Sequence, residues 1–243
     1  LTLKDVKIDV SDTGKNTGIP GTSDEGKAAL SVQGKGNVEI ELDGDNELKS
    51  GFVRAGLEKN TSEGTLTLKD DNKDGSLKAT GGANGAGIGG SMNNGTNKIT
   101  IKGGTVEAKG GLYAAGIGGG IGGSNVTVSG AAQVTATAGK GSRYAGAGAT
   151  IGGGGSSTQD SDGNTVPTPG TEIQADIKGL TTGYIHHIIY EQDGTTIKRE
   201  WWEPVRPQPN PEDPNAPTEE SNEVDLGTPG LHVETLEGDP LPF

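Results

Sequence analysis

The 243-residue chain contains no cysteine, which removes disulfides, thiolate nucleophiles and cysteine-based zinc centres together. Aromatic residues make up only 3% of it and all hydrophobic residues 29%, too few for a thick conventional core. No apolar run approaches the ~18 residues of a membrane-spanning helix, so no membrane insertion is expected. Positive charge is scarce as well: 20 Lys and Arg stand against 33 Asp and Glu, a net charge of −13. Nucleic acid and anionic membranes recruit basic surfaces, and neither is expected as a partner. The imbalance is concentrated at residues 203–243, where ten acids accompany one base, Arg206. Leu1 is neither a start Met nor the opening of a signal peptide, which leads us to expect a processed product or an excised segment of something longer.

Glycine is what the chain has in excess, 45 residues, more than twice the usual share of ~7%. It shows no three-residue period, so a collagen-like helix is excluded. The glycines frame three recurring segments. The first is Ala55-Gly56-Leu57, Ala86-Gly87-Ile88 and Ala115-Gly116-Ile117, preceded by Ala28-Ala29-Leu30 and followed by a degenerate Ala149-Thr150-Ile151. The second is Val38-Glu39-Ile40, Leu66-Thr67-Leu68, Ile99-Thr100-Ile101 and Val126-Thr127-Val128, while Leu1-Thr2-Leu3, outside these sets, looks like the remains of an earlier turn. The third is Leu48-Lys49-Ser50, Leu77-Lys78-Ala79, Val106-Glu107-Ala108 and Val134-Thr135-Ala136.

Their order is kept in every period of roughly 29 residues, and each segment alternates apolar, polar, apolar, the periodicity of a strand with one face inward. Gly, Asn and Asp fill the turns between them. Short strands that cannot bury their faces alone stack into a solenoid. Three strands per ~29-residue rung predict an all-β, right-handed parallel β-helix over residues 1–170, the hand following the rule for parallel crossovers. Thr67, Thr100 and Thr127 are expected as one outward column.

These residues carry a resemblance. The runs from Ala79 to Gly90 and from Gly111 to Gly120, with Ile99 to Val106 and Val38 to Gly44, are similar to the Gly-rich repeats of large secreted surface proteins of gut and anaerobic bacteria. Those proteins are β-helical and adhesin-like, and some are labelled carbohydrate-binding. The resemblance covers roughly residues 28–155. It implies a β-helix on the bacterial cell surface, in contact with other subunits, surface proteins or glycan; it brings no catalytic residues.

Residues 156–170 read as a polar loop. Beyond it, Tyr184–Tyr190, a turn at Gln192-Asp193-Gly194 and a return through Trp202 give a hairpin signature, so residues 171–202 are expected to form an antiparallel β-hairpin that caps the open last rung. Tyr184, Trp201 and Trp202 are the candidates for stacking on a sugar or filling a partner's pocket. His186 and His187 are neighbours, so on a strand they face opposite ways and cannot share one metal. Residues 203–243, with nine Pro, read as an acidic tail or linker. Within it, Leu231 to Leu236, with Leu231 and Val233 as contact residues, could add a strand to a neighbouring subunit and build a head-to-tail filament.

Asp70, Asn72 and Asp74 supply the oxygens of a calcium-loop opening, D-x-N-x-D-G, but Gly81 stands where the loop's bidentate Glu belongs. The competing reading is a polar inter-strand turn, and calcium is the one cofactor considered. Gly85–Gly90 fits G-x-G-x-x-G as a by-product of the repeat, with no following helix to hold a phosphate. Glu39, Glu41, Glu58, Glu63 and Glu107 are spread over different strand classes, and no Ser–His–Asp set is visible. The expected function is non-catalytic: a structural or adhesive extracellular module. The alternative is a carbohydrate-binding module, with a polysaccharide lyase or hydrolase behind both.

Overall fold

A computed structural model describes residues 1–17, 23–61, 63–120 and 125–204, together with the backbone of three short strands between 206 and 225. The described residues contain no helix. Three parallel sheets stack rung upon rung, one for each class of segment in the sequence.

On the first face, Leu30–Val32, Leu57–Lys59, Ile88–Gly89, Ile117–Gly118 and Ile151–Gly152 pair in parallel. The apolar positions Leu30, Leu57, Ile88, Ile117 and Ile151 lie directly one above another. The second face holds Thr2–Lys4, Val38–Asp43, Leu66–Lys69, Ile99–Ile101 and Val126–Val128, with Ile40, Leu68, Ile101 and Val128 in one column. Leu3 pairs with Leu42, so the opening residues do form a rung. Thr67, Thr100 and Thr127 also stack, although Thr67 is buried rather than exposed.

The third face runs Lys7–Asp9, Asp45–Lys49, Ser76–Thr80, Thr105–Lys109 and Gln133–Thr137, and continues into Tyr184–Tyr190. Here the structure corrects the repeat alignment. Asn46, not Leu48, pairs with Leu77, and Leu48 pairs with Ala79. A two-residue slip keeps every side chain on its own face, so apolar spacing alone could not reveal it. Asn46 occupies the inward position because its amide is fully used: Oδ1 accepts from Val6 N–H, and Nδ2 donates to the carbonyls of Asp43, Gly44 and Ser76. The inner columns are therefore Asn46-Leu77-Val106-Val134-Ile185 and Leu48-Ala79-Ala108-Ala136-His187.

The interior is dry and narrow. Ile40, Leu42, Leu48, Leu57, Leu66, Leu68, Leu77, Ile88, Ile99, Ile101 and Ile117 are all fully buried, each such side chain stabilising the fold by roughly 1.5–3 kcal/mol. Glycine is required where the first face bends. Gly89, Gly118 and Gly152 repeat one conformation at φ +131°, +139° and +144°, a region closed to side chains. A Cβ on Gly118 would lie 2.0 Å from the carbonyl oxygen of Gly152.

Residues 156–170 are not an irregular loop. Ser156–Gln159 and Thr165–Thr168 form an antiparallel hairpin. Its turn is closed by Asp160, whose carboxylate accepts from the backbone N–H groups of Asp162 and Asn164 and from the Asn164 amide. Exposed polar strands of this kind bury no face, so no hydrophobic alternation announces them. Thr171 to Leu180 then lays an irregular last turn over the open rung, bridging at Gly152–Glu172, Thr127–Asp176 and Gly130–Leu180. Tyr184–Tyr190 completes that turn in parallel with Gln133–Thr137, and Ile197–Glu203 returns antiparallel to it as the expected hairpin. Val224–Asp225 pairs with Arg199 and Glu200 on the hairpin's outer edge, and Arg206–Gln208 pairs with Glu219–Ser221.

Candidate functional site

The hairpin's register decides which of its side chains meet. A bulge between Ile189 and Tyr190 shifts the pairing by one residue, which sets His186 opposite Trp202 and His187 opposite Trp201. Without that extra residue each histidine would face a different partner. Both pairs stack: His186 and Trp202 with centroids 4.2 Å apart and planes 5° from parallel, His187 and Trp201 at 4.4 Å and 3°. The two tryptophans thus point to opposite sides, as strand alternation requires, and both are half-buried.

On the outer side, His186 Nε2 lies 2.6 Å from Glu200 Oε1. Tyr184 belongs to this side too, paired with Gln133 and half-buried. On the inner side, His187 ends the column Leu48-Ala79-Ala108-Ala136 and is only 3% exposed. Burying an imidazole there requires hydrogen-bond partners, and a short chain of them exists. Glu172 accepts through Oε1 from Thr150 N–H (2.6 Å), and through Oε2 from Thr150 Oγ1–H (2.8 Å) and Ile151 N–H (3.2 Å). Thr150 Oγ1 is 2.6 Å from His187 Nδ1. The single hydroxyl proton is given to Glu172, so His187 must donate from Nδ1. In the neutral ring Nε2 is then a bare acceptor. Glu203 Oε2 stands 3.9 Å from it.

Because Ile197–Glu203 lies beyond the last rung, its inner side overhangs the turn Thr171–Leu180. A cleft of 650 Å³ opens between them, lined by Glu172, Gln174, Ile177, His187, Trp201, Glu203 and their neighbours. That volume falls in the range of small-molecule sites. The Arg199 guanidinium sits over the Trp201 ring at 4.2 Å. Glu172 and Glu203 against Arg199 leave the cleft with an excess of negative charge.

Of the residues singled out in the sequence, Trp201 and Trp202 both line this cleft, whereas Tyr184 does not. Leu231 and Val233 lie outside the described residues. Asp70, Asn72 and Asp74 sit in a turn between two strands, far along the chain from the cap. Asp70 Oδ1 accepts from Asp74 N–H and Gly75 N–H at 3.2 Å each, so it already serves the turn. Among the described residues no three His, Asp or Glu side chains converge as a metal site. Sequence reasoning missed His187, Thr150, Glu172 and Glu203 as a group. The strand alternation of His187 was visible, but its partners come from a degenerate repeat and from an irregular turn without periodicity.

No family model, curated protein or solved structure matches the chain.

Proposed function

We propose that this chain is a non-catalytic structural and adhesive module displayed outside a bacterial cell, as part of a surface protein or filament. The observation that supports this reading most is the unbroken register of the three faces, which makes a stiff rod whose acidic side chains are dispersed over its surface rather than gathered at one groove. Rods built of stacked rungs suit spacing and display. Assembly through Leu231 to Leu236 on a neighbouring subunit is part of the reading, with Asp70, Asn72 and Asp74 serving as a polar turn of the rod. The test is twofold. Light scattering of the full chain against a version ending at residue 225 should show larger particles for the full chain only. Incubation with a panel of polysaccharides should release no new reducing ends. Monomers in both forms would remove the assembly element, and sustained product release would overturn the non-catalytic reading.

A second reading, a carbohydrate-binding module, is favoured by one specific observation: the cleft at the cap combines the Trp201 ring with carboxylates, an amide and an arginine. Aromatic platforms with a few polar groups are what sugar rings require. Retention on a glycan array, lost in a Trp201→Ala variant that still melts cooperatively, would favour this reading over pure scaffolding.

A further inference from the structure

With the His187 ring uncharged, the cleft holds two acceptors with no donor between them. His187 Nε2 and Glu203 Oε2 are 3.9 Å apart, both buried and without a hydrogen-bond partner in the protein. Buried polar atoms are nearly always satisfied, so this pair is a site in want of a donor. One atom that serves both must carry at least two protons. A sugar hydroxyl carries one, while a primary ammonium carries three. An ammonium nitrogen about 2.8 Å from each acceptor closes a triangle on the 3.9 Å base without strain.

Charge points the same way. Glu172 accepts from the neutral donors of Thr150 and Ile151, and Glu203 brings a second carboxylate to the lining. The one cationic side chain in the cleft lining, Arg199, is placed over the Trp201 ring. The walls supply the rest of the specificity: Trp201, Ile173 and Ile177 offer apolar surface, and Gln174 a hydrogen-bonding amide. Entry requires the Glu203 carboxylate to turn outward. Glu203 is the last residue of its strand, with its side chain 21% exposed, so it is the partner placed to move.

We propose that the cap binds an amine-bearing glycan, with the free primary ammonium of an amino sugar seated between His187 Nε2 and Glu203 Oε2 and the sugar ring beside Trp201. This rests on the carbohydrate-binding reading of the cleft. The chain's two tryptophans both line the cleft, so their fluorescence reports occupancy. Three probes are titrated into the full chain near neutral pH: a glucosamine disaccharide, its N-acetylated form and butylamine. The glucosamine disaccharide should bind at least about tenfold more tightly than either of the others, and Glu203→Gln should reduce that binding by about tenfold or more. Glu203→Gln keeps the side chain's shape, and its melting temperature confirms that it folds. Equal affinity for the free and acetylated disaccharides would overturn the ammonium proposal while leaving the glycan reading standing. Equal affinity for butylamine would overturn the sugar element. No binding of any saccharide would overturn both the proposal and the reading beneath it.

Discussion

In the body of the molecule, the column Leu30, Leu57, Ile88, Ile117, Ile151 repeats one kind of side chain at every rung. In the cap, the column that runs Ile8, Leu48, Ala79, Ala108, Ala136 ends in His187. Apart from Asn46 and Lys59, the inner positions of the body are filled by apolar groups of matching size, and their neighbours above and below are near copies. The last position needs a hydrogen-bond chain through Thr150 to Glu172. Repetition therefore stabilises the rod, and the breaking of repetition at its end creates the cleft. A solenoid concentrates chemistry where stacking stops, because only there do inner side chains lack a rung to cover them.

Substitutions should separate the two regions sharply, the largest effects falling in the body. Gly118→Ala places a Cβ 2.0 Å from the Gly152 carbonyl oxygen at φ +139°, and both backbones are fixed by their ladders. We expect a loss of about 4 kcal/mol or more, seen as failure to reach a cooperative melt. Ile101→Ala removes a fully buried side chain from the fourth of five strands of the second face and should cost about 2–5 kcal/mol by denaturant titration. A loss under 1 kcal/mol at Ile101 would mean that the rungs are not tightly stacked.

Lys59 tests a polar exception inside the body. It is 1% exposed, and its ammonium donates to the carbonyls of Thr61, Glu63 and Asn97 at 2.7, 3.2 and 2.8 Å. Lys59→Met leaves those carbonyls unserved and should cost about 1–3 kcal/mol. Burial, assisted by the charge of Lys98, holds the Lys59 ammonium below the ordinary lysine value of 10.5. In the window between the folded value and 10.5, the unfolded chain binds more protons. Stability from this group therefore rises with pH through that window. Melting temperatures of the wild type and Lys59→Met should converge toward the acid side of the window and part on the alkaline side.

Smaller effects are expected at the turns. The carboxylate of Asp193, at the hairpin turn, accepts from the Thr196 hydroxyl and the N–H groups of Thr195 and Thr196, and its pKa is lowered to about 2. The contribution is present above the ordinary value of 3.8 and is lost as pH falls toward 2. Asp193→Asn should flatten the acid limb of hairpin fluorescence and leave the rod intact. At the other turn, calcium at millimolar concentration should leave the melting temperature unchanged, since Asp70 already caps its own backbone. A rise that Asp74→Ala abolishes would instead assign a cation there.

The body was legible from sequence because its signal is repeated. Three segment classes at a ~29-residue period gave the strands, their order and, on the first two faces, their register. The third face was read two residues out of place at its second strand, since Leu48 and Asn46 share a face and only the hydrogen bonds of Asn46 distinguish them. The hairpin at 156–170 escaped notice because it buries nothing. In the cap, the aromatic pair was legible as a candidate, but the bulge at Ile189 that matches His187 with Trp201 left no local mark in the sequence.

By itself, the sequence determined a narrow parallel solenoid of small apolar side chains, because alternation and period are local properties repeated often enough to be read without coordinates. Tertiary structure alone decided that Thr150, Glu172, His187 and Glu203, drawn from three separate stretches of chain, meet beneath one overhanging strand. The reason is physical. A site made where the repeat ends depends on a one-residue bulge and on an irregular covering turn, and both are fixed by packing against the last rung rather than by any preference of their own residues.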